Sequence, residues 1–503
     1  MNDNDNDNDD ITKSGITKRK IRKEANVDNN DKDIDKDSTI DKNDDAADLL
    51  LPKGDNTWRD ISGNGSSVDE IFDDADFGVF QLRMLFLIGG AIACDAMEIT
   101  LLAFIQGCVM LEWGISTTYE SILTSSVFVG QVIGMLVFGP LGDKFGRRPI
   151  ILFGWFFIVV FGLVSCISPD IWFLIITRTL VGIGIGASQA ISYDLFAETV
   201  PTKYRSRIIY VSLFSILGGL YVIAVAWAIL ETWGWRWVAF FCALPIAVVA
   251  IFGFFFMYES PRWLTTQKRY EEAEEIMNIV VKVNKCSKYE EDPVVIKRDD
   301  NAIEEGSLDD LFSLKYRVVT SLVWSSWLFG YFTFYSIFLV LILNFEDENS
   351  CSYEYEYIFL AQSVEIIGVL FAFYLIDVIG RSLTLSALFG YTCFGALSFA
   401  LLNDAGYETG ATVMLISNKI SVAGAIATLW ILTSEIYPTF LRGTGHSAAC
   451  ILGRVGAFAA VFWVDDFAYA NVLYGSILYI ITSALVALCG LFLPETMYKK
   501  LDD

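Results

Sequence analysis

Histidine is nearly absent from this chain: His446 is the only one in 503 residues. A zinc site built on imidazoles therefore has nothing to draw on. The nine cysteines are Cys94, Cys108, Cys166, Cys242, Cys286, Cys351, Cys393, Cys450 and Cys489. They show neither a disulfide framework nor metal-ligand spacing. Seven fall in apolar stretches, Cys286 falls in a charged one, and only Cys351 falls in a loop placed outside. No GxxxxGK[ST] run occurs, so a P-loop does not drive this protein with ATP. No nucleophile–base constellation is visible, which excludes the usual enzymatic readings, and no cofactor or nucleic-acid partner is expected. No apolar run follows the start, so the first membrane span must itself target the chain. Gly182-x-Gly184-x-Gly186 imitates a nucleotide fingerprint but lacks a preceding strand. Close helix packing is its ordinary account.

What is present is apolar. Hydrophobic residues make up 54% of the chain and mean hydropathy is +0.47, which is membrane-like rather than soluble. The net charge of −24 misleads, because residues 1–79 hold 22 acids against 11 bases. That stretch, rich in Asp, Asn and Lys, is expected to be a disordered tail. Its basic cluster Lys18-Arg19-Lys20-Ile21-Arg22-Lys23 reads as a solvated segment, with anionic lipid as the alternative partner.

Twelve apolar segments are long enough to cross about 30 Å of hydrocarbon. They fall at 84–110, 119–141, 149–168, 172–195, 207–230 and 236–258, then 318–343, 357–377, 383–402, 411–433, 444–464 and 472–493. The reading is an all-α membrane protein of two six-helix bundles, 80–258 and 318–493. A charged loop, 259–317, joins them and a short tail, 494–503, follows. Lys144, Arg147, Arg148, Lys203, Arg205, Arg207, Arg381 and Arg442 fall in even-to-odd loops, and the central stretch is basic too. The opposite loops offer only Arg236, so both termini and the central loop are expected to be cytoplasmic. Within that loop, Lys268–Lys285 places Ala273, Ile276, Met277 and Val280 on one helical face, which predicts a helix on the inner membrane surface or on the bundle.

One signature occurs twice. Glu198-x-x-Pro201-Thr202-x-x-Arg205 returns as Glu435-x-x-Pro438-Thr439-x-x-Arg442, offset by 237. Asp143-x-x-Gly146-Arg147 returns as Asp377-x-x-Gly380-Arg381, offset by 234, and Glu259-Ser260 returns as Glu495-Thr496, offset by 236. Three pairs at nearly one offset mark a duplicated unit. A duplicated polytopic domain is the usual plan of a secondary transporter, with its site between the halves.

These motifs resemble the major facilitator superfamily, and the ExxPTxxR copies with Glu259-Ser260-Pro261-Arg262-Trp263 resemble its sugar and organic-ion porters. Phe80-Gln81, Cys94-Asp95-Ala96-Met97-Glu98, Ser363-Val364-Glu365-Ile366-Ile367-Gly368 and Arg454-Val455-Gly456-Ala457 are similar to the synaptic-vesicle-related transporters, which group with organic cation and anion carriers. Ser434-Glu435 stands where that family often has Pro-Glu, and Arg442-Gly443-Thr444-Gly445 leans toward sugar porters. The resemblance implies a cytoplasmic gate in which Asp143, Arg147, Glu198, Arg205, Asp377, Arg381, Glu435 and Arg442 tie the halves together. It also implies that an acid in span one pairs with an arginine in span four, the places of Asp95 and Arg178.

Charge inside the membrane is costly and defaults to function. Asp95 and Glu98 lie in span one, three apart and so on one helical face. Arg178 lies in span four, Glu365 in span eight, Lys419 in span ten and Arg454 in span eleven. A purely structural ion pair is the rival reading for each. Proton coupling and substrate binding are assigned to these six, with Glu98 and Glu365 expected to face one central site from opposite halves. Gln131, Gln189, Tyr193, Phe334, Tyr335, Gln362, Asn418 and Trp430 are candidates to line the cavity. His446 reads as packed rather than as a proton carrier. The expected function is alternating-access transport of a small polar or charged organic solute by a monomer in the bilayer, coupled to protons. A sugar uniporter or symporter, and a non-transporting membrane receptor or trafficking protein on the same fold, are the alternatives.

Overall fold

The computed structural model of the chain describes residues 65–289, 293–298, 308–345, 351–437, 439–464 and 472–496. The basic cluster at 18–23 lies outside them. A short helix, α1 (Val68–Ala75), leads into the long α2 (Val79–Trp113). The amino-terminal half continues with α3 (Thr117–Phe145), α4 (Arg147–Ser165), α5 (Ile171–Thr199), a 3-10 turn (Thr202–Tyr210), α6 (Val211–Trp233) and α7 (Trp235–Phe256). The joining segment carries α8 (Pro261–Thr266), α9 (Tyr270–Val283) and α10 (Leu308–Leu311). The carboxyl half is α11 (Arg317–Leu343), α12 (Tyr355–Ser363), α13 (Glu365–Val378), α14 (Arg381–Asp404), α15 (Glu408–Ile436), α16 (Thr439–Trp463) and α17 (Val472–Phe492). Twelve spans among the described residues are long and apolar enough to cross a membrane, and α12 with α13 form one of them, interrupted at Val364. Each begins and ends within a few residues of its expected place.

Helix is forced here by the solvent. In hydrocarbon every backbone N–H and C=O must be satisfied within the segment. The halves then pack by shape. Gly182 and Gly186 on α5 lie against α3, and a Cβ at either would collide with the backbone carbonyl of Val127 or Gln131. The glycine run of span four is therefore a packing surface.

The ends of α2, α4, α6, α11 and α14 that begin each helix lie at one face with the repeated motifs, here called the motif face. The other is the outer face. Order at the motif face starts earlier than expected. The expected tail runs to residue 79, yet Ser67 and Glu70 form a capping box on α1, whose Ile71 and Phe72 are buried. Apolar residues at Val68, Ile71, Phe72 and Ala75 give α1 one face to bury, and Asp69 pairs with Arg262 while Asp74 pairs with Lys288. The Lys288 ammonium holds the Asp74 carboxyl below the usual carboxylate range. The expected central helix is α9, with Ala273, Met277 and Val280 buried and Ile276 half-buried. Asn284, just past it, accepts from the Phe80 N–H at 3.0 Å and donates to Gln81 Oε1 at 2.8 Å. Gln81 Nε2 donates in turn to the Thr199 carbonyl at 3.2 Å, which binds the joining segment, α2 and α5 together.

Gly146 and Gly380 turn the chain into α4 and α14 at φ +104° and +90°, where a side chain is strained. Their Cβ positions are also occupied by the Glu259 and Glu495 carboxylates. Gly146→Ala or Gly380→Ala should therefore lower the melting temperature of the detergent-solubilised protein, at a free-energy cost above the roughly 1–3 kcal/mol that a sparsely populated backbone conformation alone carries. Gly234 has φ +80° with nothing within 4 Å, so Gly234→Ala carries the backbone cost alone and should melt above the other two variants. Equal melting of all three would refute the steric half of this account.

Candidate functional site

The duplicated signature folds into two matching clusters. In the amino-terminal half, Glu259 accepts from the backbone N–H of Arg147 at 3.0 Å and of Arg148 at 3.1 Å, placing a carboxylate on the N-terminus of α4. Arg147 pairs with Glu198 at the end of α5, and Ser260 donates its hydroxyl to the same Glu198 carboxylate. In the carboxyl half, Glu495 accepts from Arg381 N–H at 2.9 Å and Ser382 N–H at 3.1 Å. Arg381 pairs with Glu435 at 3.1 Å, and Thr496 donates to Glu435 at 2.7 Å. The three repeated motifs are thus pieces of one device, built once per half.

This changes the expected gate. The pairs Arg147–Glu198 and Arg381–Glu435 each close within one half rather than joining the two. Asp143 lies near Gly443 of the other half, and its backbone carbonyl accepts from the Trp263 indole at 2.7 Å. Asp377 is exposed and forms no ion pair among the described residues. The side chains of Arg205 and Arg442 lie outside the described residues.

At mid-membrane the six charged residues form three pairs. Arg178 donates Nη1 to both Glu98 oxygens at 2.9 Å, inside the amino-terminal half. Lys419 lies 3.2 Å from Glu365, inside the carboxyl half. Arg454 donates Nη2 to Asp95 at 3.0 Å, from one half to the other. The expected Asp95–Arg178 partnership is therefore replaced by Glu98–Arg178. Glu98 and Asp95 are three residues apart, roughly 4.5 Å along the helix and turned about 60°. That is enough to point Glu98 at α5 and Asp95 at the interface. The companion expectation, that Glu98 and Glu365 share one central site, is corrected too: Asp95 and Glu365 line the central cavity, whereas Glu98 lies with Arg178 at a separate small cavity of about 20 Å³.

Two of the pairs are built alike, each with an amide bridging acid and base. Gln189 donates to Asp95 at 3.0 Å and accepts from Arg454, while Gln131 donates to the other Asp95 oxygen at 2.7 Å. Gln362 donates to Glu365 at 2.8 Å and accepts from Lys419 at 2.8 Å. Amides satisfy the lone pairs and protons that a bare buried pair would leave open. The interruption at Val364 sets Gln362 and Glu365 on either side of it.

The central cavity, about 100 Å³, lies between the halves. Gln189, Tyr193, Phe334, Tyr335, Gln362 and Trp430 line it as expected. Gln131 acts one layer back through Asp95, and Asn418 is removed from it, packed against Gly395 of α14. Tyr331 and Phe338 were missed and complete an aromatic wall on α11. They recur with Phe334 and Tyr335 at helical spacing, which was the available signal. Arg454 sits over the Tyr331 ring and Lys419 over the Phe338 ring, so the cations stand behind the wall and the carboxylates reach the cavity.

His446 is fully buried, its ring packed against Tyr193, Trp327 and Trp430. It is also paired: Nδ1 lies 3.0 Å from Asp194 of α5, across the halves. Asp194, an acid within an apolar helix, is the residue sequence reasoning passed over. The cysteine reading needs correction as well. Cys108 of α2 and Cys351 of the outer loop before α12 form a disulfide. A spacing of 243 residues carries no sequence pattern by which to pair them.

The family model described as sugar (and other) transporter matches residues 55–503. The synaptic vesicle 2-related protein of Xenopus laevis is 27% identical over 459 residues, which cover 87% of this chain and 82% of that protein. The organic cation/carnitine transporter 7 of Arabidopsis thaliana is 27% identical over 435 residues, covering 78% of this chain and 86% of its own. Among solved structures, the proton:xylose symporter XylE bound to 6-bromo-6-deoxy-D-glucose aligns with a TM-score of 0.66 at 18% identity, over 84% of this chain and 98% of that one. That likeness concerns the fold.

The amide-bridged pair in the carboxyl half can be tested by removal. Glu365→Gln or Lys419→Gln alone strands a buried charge, a loss of about 3–5 kcal/mol. Each should depress the melting temperature and the folded yield, while Glu365→Gln with Lys419→Gln should regain most of it. A double variant no more stable than the worse single one would contradict the pairing.

Proposed function

The chain belongs to the sugar (and other) transporter family of the major facilitator superfamily, and on that footing we propose that it carries a small organic cation by alternating access, driven by protons. It is an integral, multi-pass membrane protein. The observation that carries the coupling is which of the three buried pairs crosses the interface. When two rigid bundles rock about a central site, Glu98–Arg178 and Glu365–Lys419 travel intact within their halves. Asp95–Arg454 does not, because its partners belong to different halves.

Parting the halves withdraws the guanidinium from Asp95. A carboxylate left in low dielectric without its cation takes up a proton in its place. Re-pairing with Arg454 expels that proton, so the proton state of Asp95 follows the orientation of the cavity. Gln131 and Gln189, both in the amino-terminal half with Asp95, hold the carboxylate in position.

The cavity wall supports a cationic solute. Asp95 and Glu365 present oxygens to it, and Tyr331, Phe334, Tyr335, Phe338 and Trp430 present ring faces and edges. Aromatic faces and carboxylates together are the surroundings a quaternary or protonated amine prefers. The name of the Arabidopsis relative, an organic cation/carnitine transporter, agrees with this. Gln189 and Gln362 favour a second reading, a sugar held by amides, which the family description and the xylose symporter also suit. The basic residues gathered at the motif face, Arg262, Lys268, Arg269 and Lys288 among them, support placing that face in the cytoplasm. The synaptic-vesicle-related relatives make a vesicle membrane one home for it, the plasma membrane being the other.

Asp95→Asn imitates the protonated acid. In proteoliposomes with a pH gradient it should abolish uphill accumulation of tetraethylammonium while exchange down its own gradient persists. Accumulation against a gradient by that variant would remove Asp95 from the coupling step.

Glu365→Gln should weaken tetraethylammonium binding about ten- to hundredfold, since a lost charge-assisted bond costs about 1.5–3 kcal/mol. It should leave D-xylose binding unchanged. The sugar reading takes over if D-xylose binds tightly and tetraethylammonium does not.

A further inference from the structure

The outer face carries a joint between the halves that the transport reading does not use. Cys351 belongs to the carboxyl half, four residues before the first residue of α12, and is bonded to Cys108 of α2 in the amino-terminal half. The residues between lie down on the other half as a strap. Ser352 donates to Glu231 of α6 at 2.9 Å. Tyr353 is buried, its hydroxyl donating to the Phe104 carbonyl of α2 at 3.1 Å and its ring set edge-on to Phe104. Tyr355 stacks on both Phe104 and Trp227.

Phe104 stands one helical turn, roughly 6 Å, outward of Thr100, which lines the central cavity. The strap therefore covers the outer side of the cavity, and the cavity cannot open to that face until Tyr353 and Tyr355 leave α2. The bond at Cys351 restrains that departure. Four residues of chain span at most ~14 Å when fully extended, so the disulfide ties the outer ends of α2 and α12 together on a short leash.

We propose that the Cys108–Cys351 disulfide is a redox-set latch on the outer mouth of the cavity. Oxidised, it pins the strap across α2 and holds the outer mouth shut; reduced, it lets the strap lift and the halves part. This rests on the alternating-access reading above. The reductant is a dithiol. Its thiolate attacks the half-buried Cys351 sulfur, and Cys108 departs as a thiolate that takes a proton. The second reductant thiol then displaces Cys351. The protein gains two electrons and two protons, and the reductant ends as its own cyclic disulfide.

The test needs no knowledge of the solute. Trp233 and Tyr407 are exposed at the outer ends of α6 and α14–α15, one in each half. Spin labels attached through p-acetylphenylalanine at these two positions leave every cysteine native. The full chain in lipid nanodiscs is compared by electron–electron distance measurement as prepared and after dithiothreitol. The oxidised protein should show one short-distance population. Reduction should add a longer one, and Cys351→Ser should show it without reductant. If Cys351→Ser fails to fold, the reduced wild type still decides. Identical distances before and after reduction, with loss of the disulfide verified by mass spectrometry, overturn the latch. Tetraethylammonium uptake by the same preparations separates the two ideas: no uptake in any state, with the distance shift present, refutes the organic-cation reading and leaves the latch.

Discussion

The contact between Asp95 and Arg454 is the one on which the arrangement turns. Of the three pairs formed by Asp95, Glu98, Glu365, Arg178, Lys419 and Arg454 it is the one that joins the two halves, and it is surrounded by polar groups that complete it. Gln131 and Gln189 saturate the carboxylate, Tyr335 takes the remaining arm of the guanidinium, and the Tyr331 ring lies beneath it. A buried pair is favourable only when its spare lone pairs and protons are occupied. Here the occupying groups come from α3, α5 and α11 as well as α2 and α16, so the pair sets the register of five helices.

The fold was legible from the chain because hydrocarbon leaves few choices. Twelve long apolar segments had to be helices, and the repeat at offsets near 236 had to be two like bundles. The charged residues were legible as a set but not as pairs. Asp95 and Glu98 share a helical face, and no spacing rule says which of them meets the α5 arginine. The motif clusters were misjudged for a related reason. Arg147, Glu198, Glu259 and Ser260 are far apart in sequence yet meet within one bundle, whereas the resemblance suggested contacts between bundles. Asp194 was overlooked because its partner is the chain's one histidine, 252 residues away.

The closure of each motif cluster within its own half has an energetic meaning. A gate whose ion pairs crossed the interface would have to break them all at every turnover. With Arg147–Glu198 and Arg381–Glu435 kept inside the bundles, the charged contacts stay made while the bundles move. What must be exchanged at the interface includes Asp95–Arg454, His446–Asp194, the outer strap's Ser352–Glu231 and Tyr353–Phe104 bonds, and apolar contact such as that of Tyr210 with Phe373. An equilibrium whose gap is a few kcal/mol can be tipped by the differential binding of a single solute.

The exact balance of the mid-membrane charges bears on the electrical behaviour of the molecule. Asp95, Glu98 and Glu365 are matched by Arg454, Arg178 and Lys419, so the paired interior sums to zero. A membrane potential does work on net charge, about 2.3 kcal/mol per elementary charge per 100 mV. On the empty, fully paired protein it finds almost none to move. Voltage then finds no net charge in that paired set, and the empty protein is left nearly indifferent to the field across the bilayer that holds it.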